Sequence, residues 1–293
     1  MSIDESNQKY IKKAFEGGFV IPAFNIPHLP MVEPVVRAVK DENAFAFVAV
    51  ARLEWIKFQS KSLAAVYEEY AKHADPRHVS IHLDHVPVID EDNLTVDYMP
   101  VFKEAIAIGY RSVMIDGSRL PLLENIEHTK RAADYAHANG VAIEAELGAV
   151  MGHEEGPIPP YEELFETGKG FTDSSEATKF VKETGCDWLS VAIGNIHGAV
   201  SAATRDKKKV AARLNIPHLQ ALRDATGIPL VLHGGSGIQL DFVRQAFQSG
   251  ISKINVGTEI RQAYETGGVD SVYTRTREIL RDFGLTGSTA KAV

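Results

Sequence analysis

The sequence predicts an α/β protein with a single domain, a (β/α)8 TIM barrel that spans residues 1–293. Short apolar runs alternate with longer segments of helical periodicity, and this alternation occurs eight times. The apolar runs are continuous, as in strands that are covered on both faces. Glycine separates helix from strand in "ANGVAI", "ETGCDW", "ATGIPL" and "QSGISK", as expected at helix ends. Eight such units without a visible linker favour a closed barrel over an open sheet.

Each unit consists of a predicted strand and the helix that follows it. The strands are predicted at Phe19–Ile26, Ala44–Ala51, Val79–His85, Ser112–Ser118, Val141–Gly148, Asp187–Gly194, Ile228–Gly235 and Ile251–Thr258. The first seven helices are predicted at Pro30–Lys40, Lys57–Lys72, Tyr98–Gly109, Leu120–Asn139, Ser174–Thr184, Ile216–Thr226 and Gln239–Ser249. The eighth strand leads into a helical C-terminal segment, and "TDSSEA" supplies an N-cap for the fifth helix.

The composition excludes several classes of protein. The chain is 44% hydrophobic and 24% charged with a net charge of −8, which is ordinary for a globular protein and unfavourable for nucleic-acid binding. Its single cysteine, Cys186, excludes an internal disulfide and a zinc site built on several thiolates. No signal peptide and no long apolar span are visible, so we expect a cytoplasmic protein with no membrane partner.

Polar residues cluster where the predicted strands end, and this is where the active site of such a barrel lies. They are Asn25, Asp84, His85, Asp116, Glu144, Glu146, His197, His233, Lys253 and Asn255. Three of them, His85, His197 and His233, would bring imidazoles from strands 3, 6 and 7 to one rim. Three imidazoles with an open fourth position are typical of a catalytic zinc site. His82 lies one pleat deeper than Asp84, and we interpret it as a structural or orienting residue.

Asp84 has two interpretations from its position alone. It can orient a neighbouring imidazole, or it can transfer a proton beside a metal-bound substrate. The glycine-bearing turns "HGGSG" and "NVGT" follow strands 7 and 8, where many barrels bind a phosphate through backbone N–H groups. Together they indicate a phosphorylated substrate.

Six motifs in order resemble the class II, metal-dependent ketose-bisphosphate aldolases, which include fructose- and tagatose-bisphosphate aldolases. The motifs are "LDH", "MIDGS", "EAELG", "AIGNIHG", "LHGGSG" and "KINVGTE", and the similarity extends from Phe19 to Glu259. The resemblance implies a zinc-dependent lyase of carbohydrate metabolism, such as glycolysis. Such an enzyme cleaves a phosphorylated ketose reversibly to dihydroxyacetone phosphate and an aldehyde. It also implies a homodimer or homotetramer and a monovalent cation, Na⁺ or K⁺, near the phosphate.

The resemblance also assigns residues. Zn²⁺ would be bound by His85, His197 and His233, with Glu146 as an alternative ligand. Proton transfer would fall to Asp84 and to Glu154 in "MGHEEG". The substrate and its phosphate would be bound by Asn25, Gly198, Gly234, Ser236, Asn255, Gly257 and Thr258. Zn²⁺ would act as the Lewis acid, so Lys253 is not needed as a Schiff-base nucleophile, and we expect it to be backbone-paired or to face the phosphate.

The clearest departure from the family is Arg52, which stands where a serine often ends strand 2. Its guanidinium can bind a carboxylate or phosphate of the substrate, or it can pair with Glu54 or another rim acid. The loops at 151–171 and 199–213 also differ, so the reaction class transfers better than the substrate. The alternatives are an aldolase for a phosphorylated deoxy-keto acid, a zinc-dependent barrel hydrolase, and a non-catalytic barrel that senses sugar phosphates.

Overall fold

The computed structural model describes residues 6–148, 161–195, 213–235 and 238–293. Its parallel strands close into a barrel in which each strand pairs with the next, and the last pairs with the first. The strands are β1 (Ile21–Asn25), β2 (Ala46–Ala51), β3 (Val79–Pro87), β4 (Ser112–Asp116), β5 (Ala142–Leu147), β6 (Trp188–Val191), β7 (Leu230–Leu232) and β8 (Ile251–Val256). The predicted (β/α)8 TIM barrel is confirmed.

Helices surround the barrel and cover its N-terminal end. They are α1 (Gln8–Gly17), α2 (Val32–Asp41), α3 (Arg52–Ile56), α4 (Leu63–His73), α5 (Tyr98–Ile108), α6 (Leu122–Ala138), α7 (Tyr161–Thr167), α8 (Ser174–Thr184), α9 (Ile216–Thr226), α10 (Leu240–Gln248), α11 (Thr258–Asp282) and α12 (Thr289–Ala292). A short 3₁₀ helix at Leu29–Met31 precedes α2. None of the helices in the described ranges is long and apolar enough to cross a membrane.

The predicted helix Lys57–Lys72 is wrong at its start. The chain forms the short helix α3 directly after β2, and α4 begins only at Leu63. Between them Lys61 adopts a φ of +69°, which interrupts a right-handed helix. The side chain of Ser62 then accepts a hydrogen bond from the Ala65 N–H at 3.1 Å and caps α4.

The interior of the barrel divides into an apolar half and a polar half. The half near the N-terminal ends of the strands is filled by Phe45, Phe47 and Trp188, against which α1 packs Tyr10 and Ile11. The half near the C-terminal ends contains buried His, Asp, Glu, Lys and Asn side chains. Because inward-facing barrel positions are ordinarily apolar, the polar half marks the position of a functional site.

Candidate metal and catalytic site

A β-bulge in β3 brings His85 to the mouth of the barrel. In a regular strand Asp84 and His85 would point to opposite faces. The pairing of β3 with β4 shifts register between Leu83 and Val86, and His85 has a φ of +25°. A non-glycine residue in this region costs about 1–3 kcal/mol, which the surrounding structure must supply. The bulge directs both side chains to the site, and His85 Nε2 lies 2.5 Å from His233 Nδ1.

His233 follows β7 and is held by a buried carboxylate. Its Nε2 is 2.7 Å from Oε1 of Glu144 on β5, to which it donates. This hydrogen bond fixes the orientation of the ring and leaves Nδ1 directed to His85. The two imidazole rings are nearly perpendicular, at 84°, with centroids 4.4 Å apart.

Two further carboxylates surround the paired imidazoles. Oε2 of Glu146 lies 4.0 Å from His233 Nδ1, and Oδ2 of Asp116 lies 3.4 Å from His85 Nδ1. Glu146 is only 2% exposed, and its Oε2 has no hydrogen-bond partner among the described residues. A buried carboxylate oxygen without a donor is costly, so the site is incomplete without a further positive group.

These side chains fit a divalent cation. Ligand atoms of Asp84, His85 and His233 all lie within 4.8 Å of one another, and so do those of His85, Asp116 and Glu146. Imidazole nitrogens with carboxylate oxygens are the ligands that Zn²⁺ binds in catalytic sites. The third predicted histidine ligand, His197, lies outside the described residues.

The pKa values of two groups at this site, His85 and Glu146, are shifted upward. Burial lowers the pKa of His85, but the carboxylates of Asp84 and Asp116 outweigh it and raise the pKa to about 10. Burial and the charge of Asp116 hold the pKa of Glu146 well above its usual range. Both shifts favour the protonated forms of His85 and Glu146. A bound metal cation would replace these protons in balancing the negative charge of the carboxylates.

Asp84 is held by amide groups from both of its flanks. Asn25 Nδ2 donates to Oδ2 at 2.8 Å, and Asn255 Nδ2 donates to both oxygens at 2.8 Å. Burial raises the pKa of Asp84, but the charges of Lys253 and His85 outweigh it and hold the pKa well below its usual range. Asp84 is therefore a fixed carboxylate beside the candidate metal site.

The glycine-bearing turns lie at the C-terminal ends of adjacent strands. Gly234 follows β7 with a φ of +67°, a left-handed conformation that favours glycine. Gly257 and Thr258 follow β8, where Gly257 precedes the first turn of α11. Three other predicted site residues, Glu154, Gly198 and Ser236, lie outside the described residues.

Arg52 pairs with a rim acid other than Glu54. Its Nη1 lies 3.3 Å from Oδ2 of Asp90, in the loop after β3. Glu54 instead accepts a hydrogen bond from the Ala51 N–H at 2.8 Å. The Arg52 side chain is 23% exposed, so the ion pair does not bury it completely.

The sequence interpretation gave no role to Glu144 and misplaced Lys253. Among the described residues, the contacts of Lys253 Nζ are with side chains inside the barrel: it is buried between Glu144 Oε2 at 2.9 Å and Asn255 Oδ1 at 2.6 Å. The missed signal is the spacing of two residues in Glu144–Glu146 and Lys253–Asn255. Residues two apart on a barrel strand share its inward face.

A closed barrel with imidazoles and carboxylates at the C-terminal ends of its strands defines a barrel enzyme with a candidate metal centre. A sequence model of the family described as "Fructose-bisphosphate aldolase class-II" matches residues 5–288. The chain therefore belongs to the class-II fructose-bisphosphate aldolase family, whose members are metal-dependent lyases.

Similar proteins extend over nearly the whole chain. A fructose-bisphosphate aldolase of Streptococcus pneumoniae is 33% identical over 284 residues, which cover 95% of this chain and 84% of the relative. The crystal structure of the YdjI aldolase from Escherichia coli K12 is similar with a TM-score of 0.75 and 27% identity, covering 96% of this chain and 98% of that one. A putative fructose-1,6-biphosphate aldolase from Coccidioides immitis shares the fold, with a TM-score of 0.74, 23% identity and coverage of 96% of both chains.

Proposed function

We propose that the chain is a zinc-dependent aldolase that reversibly cleaves a phosphorylated ketose, of the fructose- or tagatose-bisphosphate type, to dihydroxyacetone phosphate and an aldehyde. One observation carries this proposal. The facing imidazoles of His85 and His233 lie beside the fixed carboxylate of Asp84 at the mouth of the barrel, together with Glu146, whose Oε2 has no hydrogen-bond partner in the described part of the chain.

The metal would be held by His85, His233 and His197, with Glu146 as the alternative ligand. When bound, a zinc ion supplies a Lewis acid for the negative charge that develops on the ketone half as the C–C bond breaks. Glu144 keeps His233 Nε2 occupied, so that the lone pair of Nδ1 remains available to the cation.

Asp84 would remove the proton from the substrate hydroxyl when the C–C bond breaks and return it during condensation. Its carboxylate is held on both flanks by amide donors, from Asn25 and Asn255. Such preorganisation fixes the proton acceptor relative to the substrate, and general base catalysis of this kind contributes about 10²–10⁴-fold in rate. Glu154 would carry the second proton.

The phosphate of the dihydroxyacetone half would bind at the turns after β6, β7 and β8. Gly198, Gly234, Ser236, Gly257 and Thr258 are the proposed contacts, with Na⁺ or K⁺ beside them. Support comes from the left-handed Gly234 and from the first turn of α11 at Thr258, since backbone N–H groups and helix N-termini favour anions.

Arg52 would bind the anionic group at the other end of the substrate. Ala51 pairs with Asp84 between β2 and β3, so Arg52 stands one residue further toward the mouth than the proton carrier. A guanidinium can bind a phosphate or a carboxylate through two N–H groups. Arg52 therefore fits the distal phosphate of a ketose bisphosphate and equally the second candidate, an aldolase for a phosphorylated deoxy-keto acid.

Retro-aldol assays on the purified, zinc-loaded protein test the proposal. The panel contains fructose-1,6-bisphosphate, tagatose-1,6-bisphosphate, a ketose 1-monophosphate and a phosphorylated deoxy-keto acid, and the readout is the three-carbon product. Triose phosphate from a bisphosphate supports the main proposal, and pyruvate from the keto acid supports the second candidate. Absence of cleavage across the panel, with zinc bound, would refute the proposed reaction. Incorporation of solvent ¹⁸O into a product would indicate a hydrolase instead.

The proposal extends to a cytoplasmic homodimer or homotetramer that acts in carbohydrate metabolism. It rests on the family to which the chain belongs. The molar mass in solution, measured by light scattering after size-exclusion chromatography, tests the oligomeric state. A mass equal to that of one chain, 32.1 kDa, would contradict it.

A further inference from the structure

A network of charged side chains fills the interior of the barrel beneath the candidate metal site. Its centre is the ion pair between Glu144 and Lys253, both 0% exposed. Burying two charges costs several kcal/mol per ion, and apolar replacements of buried ion pairs are often neutral or stabilising. Stability alone therefore does not account for this pair, and its hydrogen bonds indicate another role.

Glu144 uses both carboxylate oxygens to accept hydrogen bonds from three donors. Oε1 accepts from His233 Nε2 at 2.7 Å and from Lys253 Nζ at 3.2 Å. Oε2 accepts from Trp188 Nε1 at 2.6 Å and lies 2.9 Å from Lys253 Nζ. Trp188 Nε1 and Lys253 Nζ can only donate, and an ionised carboxylate can only accept, so all three hydrogen bonds are satisfied when Glu144 is charged and His233 Nε2 donates. His233 must then carry its proton on Nε2 and present Nδ1 to the site.

Lys253 connects this arrangement to the proton carrier. The same Nζ donates to Asn255 Oδ1 at 2.6 Å, which fixes which end of the amide faces Asp84. Asn255 Nδ2 consequently points to Asp84 and donates to both of its oxygens at 2.8 Å. One buried ammonium group thus orients a residue on each side of the site, His233 through Glu144 and Asp84 through Asn255.

We propose that the buried Glu144–Lys253 pair is a positioning unit that presents His233 Nδ1 to the metal and aligns Asp84 with it. Neither residue touches substrate or metal. The inference rests on the metal site of the proposed function, and it adds two residues that set the affinity and geometry of that site. Outer-shell partners of metal ligands typically contribute about 10–100-fold in metal affinity.

Three variants and one matched control test the unit. Glu144→Gln removes the charge and places an amide N–H₂ opposite at least one donor. Lys253→Met removes the ammonium and retains the length of the side chain. The double variant Glu144→Gln/Lys253→Met leaves no net charge in the pair. The control is Glu42→Gln, the same substitution at a glutamate that is also buried, 4% exposed, but is bound by Arg277 and Arg281.

Two readouts are needed, and neither requires turnover. The first is the Kd for Zn²⁺ from competition with a chromogenic chelator. The second is the visible spectrum of the Co²⁺-loaded protein, which reports the ligands and their geometry. We expect Glu144→Gln to weaken Zn²⁺ binding by about 10–100-fold and to change the Co²⁺ spectrum, and Lys253→Met to weaken binding by about 10-fold. Glu42→Gln should retain the wild-type Kd and spectrum.

Wild-type Zn²⁺ affinity with an unchanged Co²⁺ spectrum in folded Glu144→Gln overturns the proposal. If either single variant fails to fold, the double variant decides: weak Zn²⁺ binding supports the proposal, and wild-type binding overturns it. A wild-type protein that binds no Zn²⁺ overturns this inference and the proposed function together. One that binds Zn²⁺ but cleaves no ketose phosphate counts only against the proposed reaction.

Discussion

Nε2 of His85 and Nδ1 of His233 lie 2.5 Å apart although 148 residues separate them in sequence. A bulge in β3 supplies the first imidazole, and a carboxylate on β5 orients the second. Two ring nitrogens so close to each other need a proton or a metal cation between them. The relationship leads to the first of four predictions.

Replacing His233 with alanine should abolish metal binding and retro-aldol activity together. The substitution removes one nitrogen ligand and leaves Glu144 Oε1 with only the longer hydrogen bond from Lys253 Nζ, at 3.2 Å. Replacing a residue that only orients a metal ligand costs about 10–100-fold in metal affinity. Because His233 is itself a proposed ligand, we expect the Zn²⁺ affinity to fall by more than this. Metal content after dialysis, measured by mass spectrometry, checks this. The control is His73→Ala, on the surface of α4, which should retain full zinc content. Full zinc content in His233→Ala as well would contradict the proposed ligand set.

Asp84→Ala should separate metal binding from chemistry. The imidazoles and Glu146 remain, so the variant should retain zinc, whereas kcat for retro-aldol cleavage should fall by about 10²–10⁴-fold because the proton acceptor is gone. Zinc stoichiometry and triose-phosphate release are measured on the same sample. Turnover at the wild-type rate would reduce Asp84 to an orienting residue.

Arg52→Gln should weaken the binding of substrates with an anionic group at their distal end. The change removes the guanidinium but retains a polar side chain near Asp90. We expect KM for a ketose bisphosphate to rise about 10-fold or more, with little change for a ketose 1-monophosphate, since the latter has no group for Arg52 to bind. An equal rise in KM for both substrates would show that Arg52 acts only by holding the loop after β3 through its ion pair with Asp90.

The pH dependence of stability should contain a contribution from Glu42. Burial raises the pKa of Glu42, but hydrogen bonds from Arg281, Arg277 and Thr286 outweigh it and lower the pKa from 4.5 to about 2. A lowered pKa means that the stabilisation is complete above the unfolded value of 4.5 and is lost as the pH falls toward 2.

Denaturant unfolding of the wild type and Glu42→Gln at several pH values measures this contribution. We expect the variant to be about 2 kcal/mol less stable at pH 7, where hydrogen bonds to a charged group are lost. The difference should narrow below pH 4, because Glu42 of the unfolded wild type takes up a proton there while the native carboxylate stays ionised until the pH approaches 2. A difference that stays constant down to pH 3 would contradict the assigned pKa.

Much of the barrel follows from periodicity, because buried parallel strands are apolar throughout and glycine marks the helix ends before them. The helix predicted at Lys57–Lys72 was wrong only at its start, before Leu63, since nothing in the composition indicates that Lys61 adopts a left-handed conformation. The assignment of residues 1–293 to a single domain stays a prediction.

For the candidate site, the strand ends indicate which of the described residues lie together but not their geometry. His85, His233, Glu146 and Asp84 do converge, as the strand ends indicate. The register shift that brings Asp84 and His85 to the same face depends on pairing between β3 and β4, which no local pattern encodes. The ion pair between Glu144 and Lys253 joins residues 109 apart, and only the closed barrel brings them together.

The helix α1 determines from which end of the barrel the candidate site can be reached. It packs Tyr10 and Ile11 into the apolar half of the barrel, and Asn7 donates hydrogen bonds to Ile81 O and Ser112 Oγ at 3.0 and 2.7 Å. Among the described residues, these contacts close the N-terminal end of the barrel. The opposite end would then be the single entrance to the site for substrate, product, protons and metal. A bound product must therefore leave before the next substrate can enter.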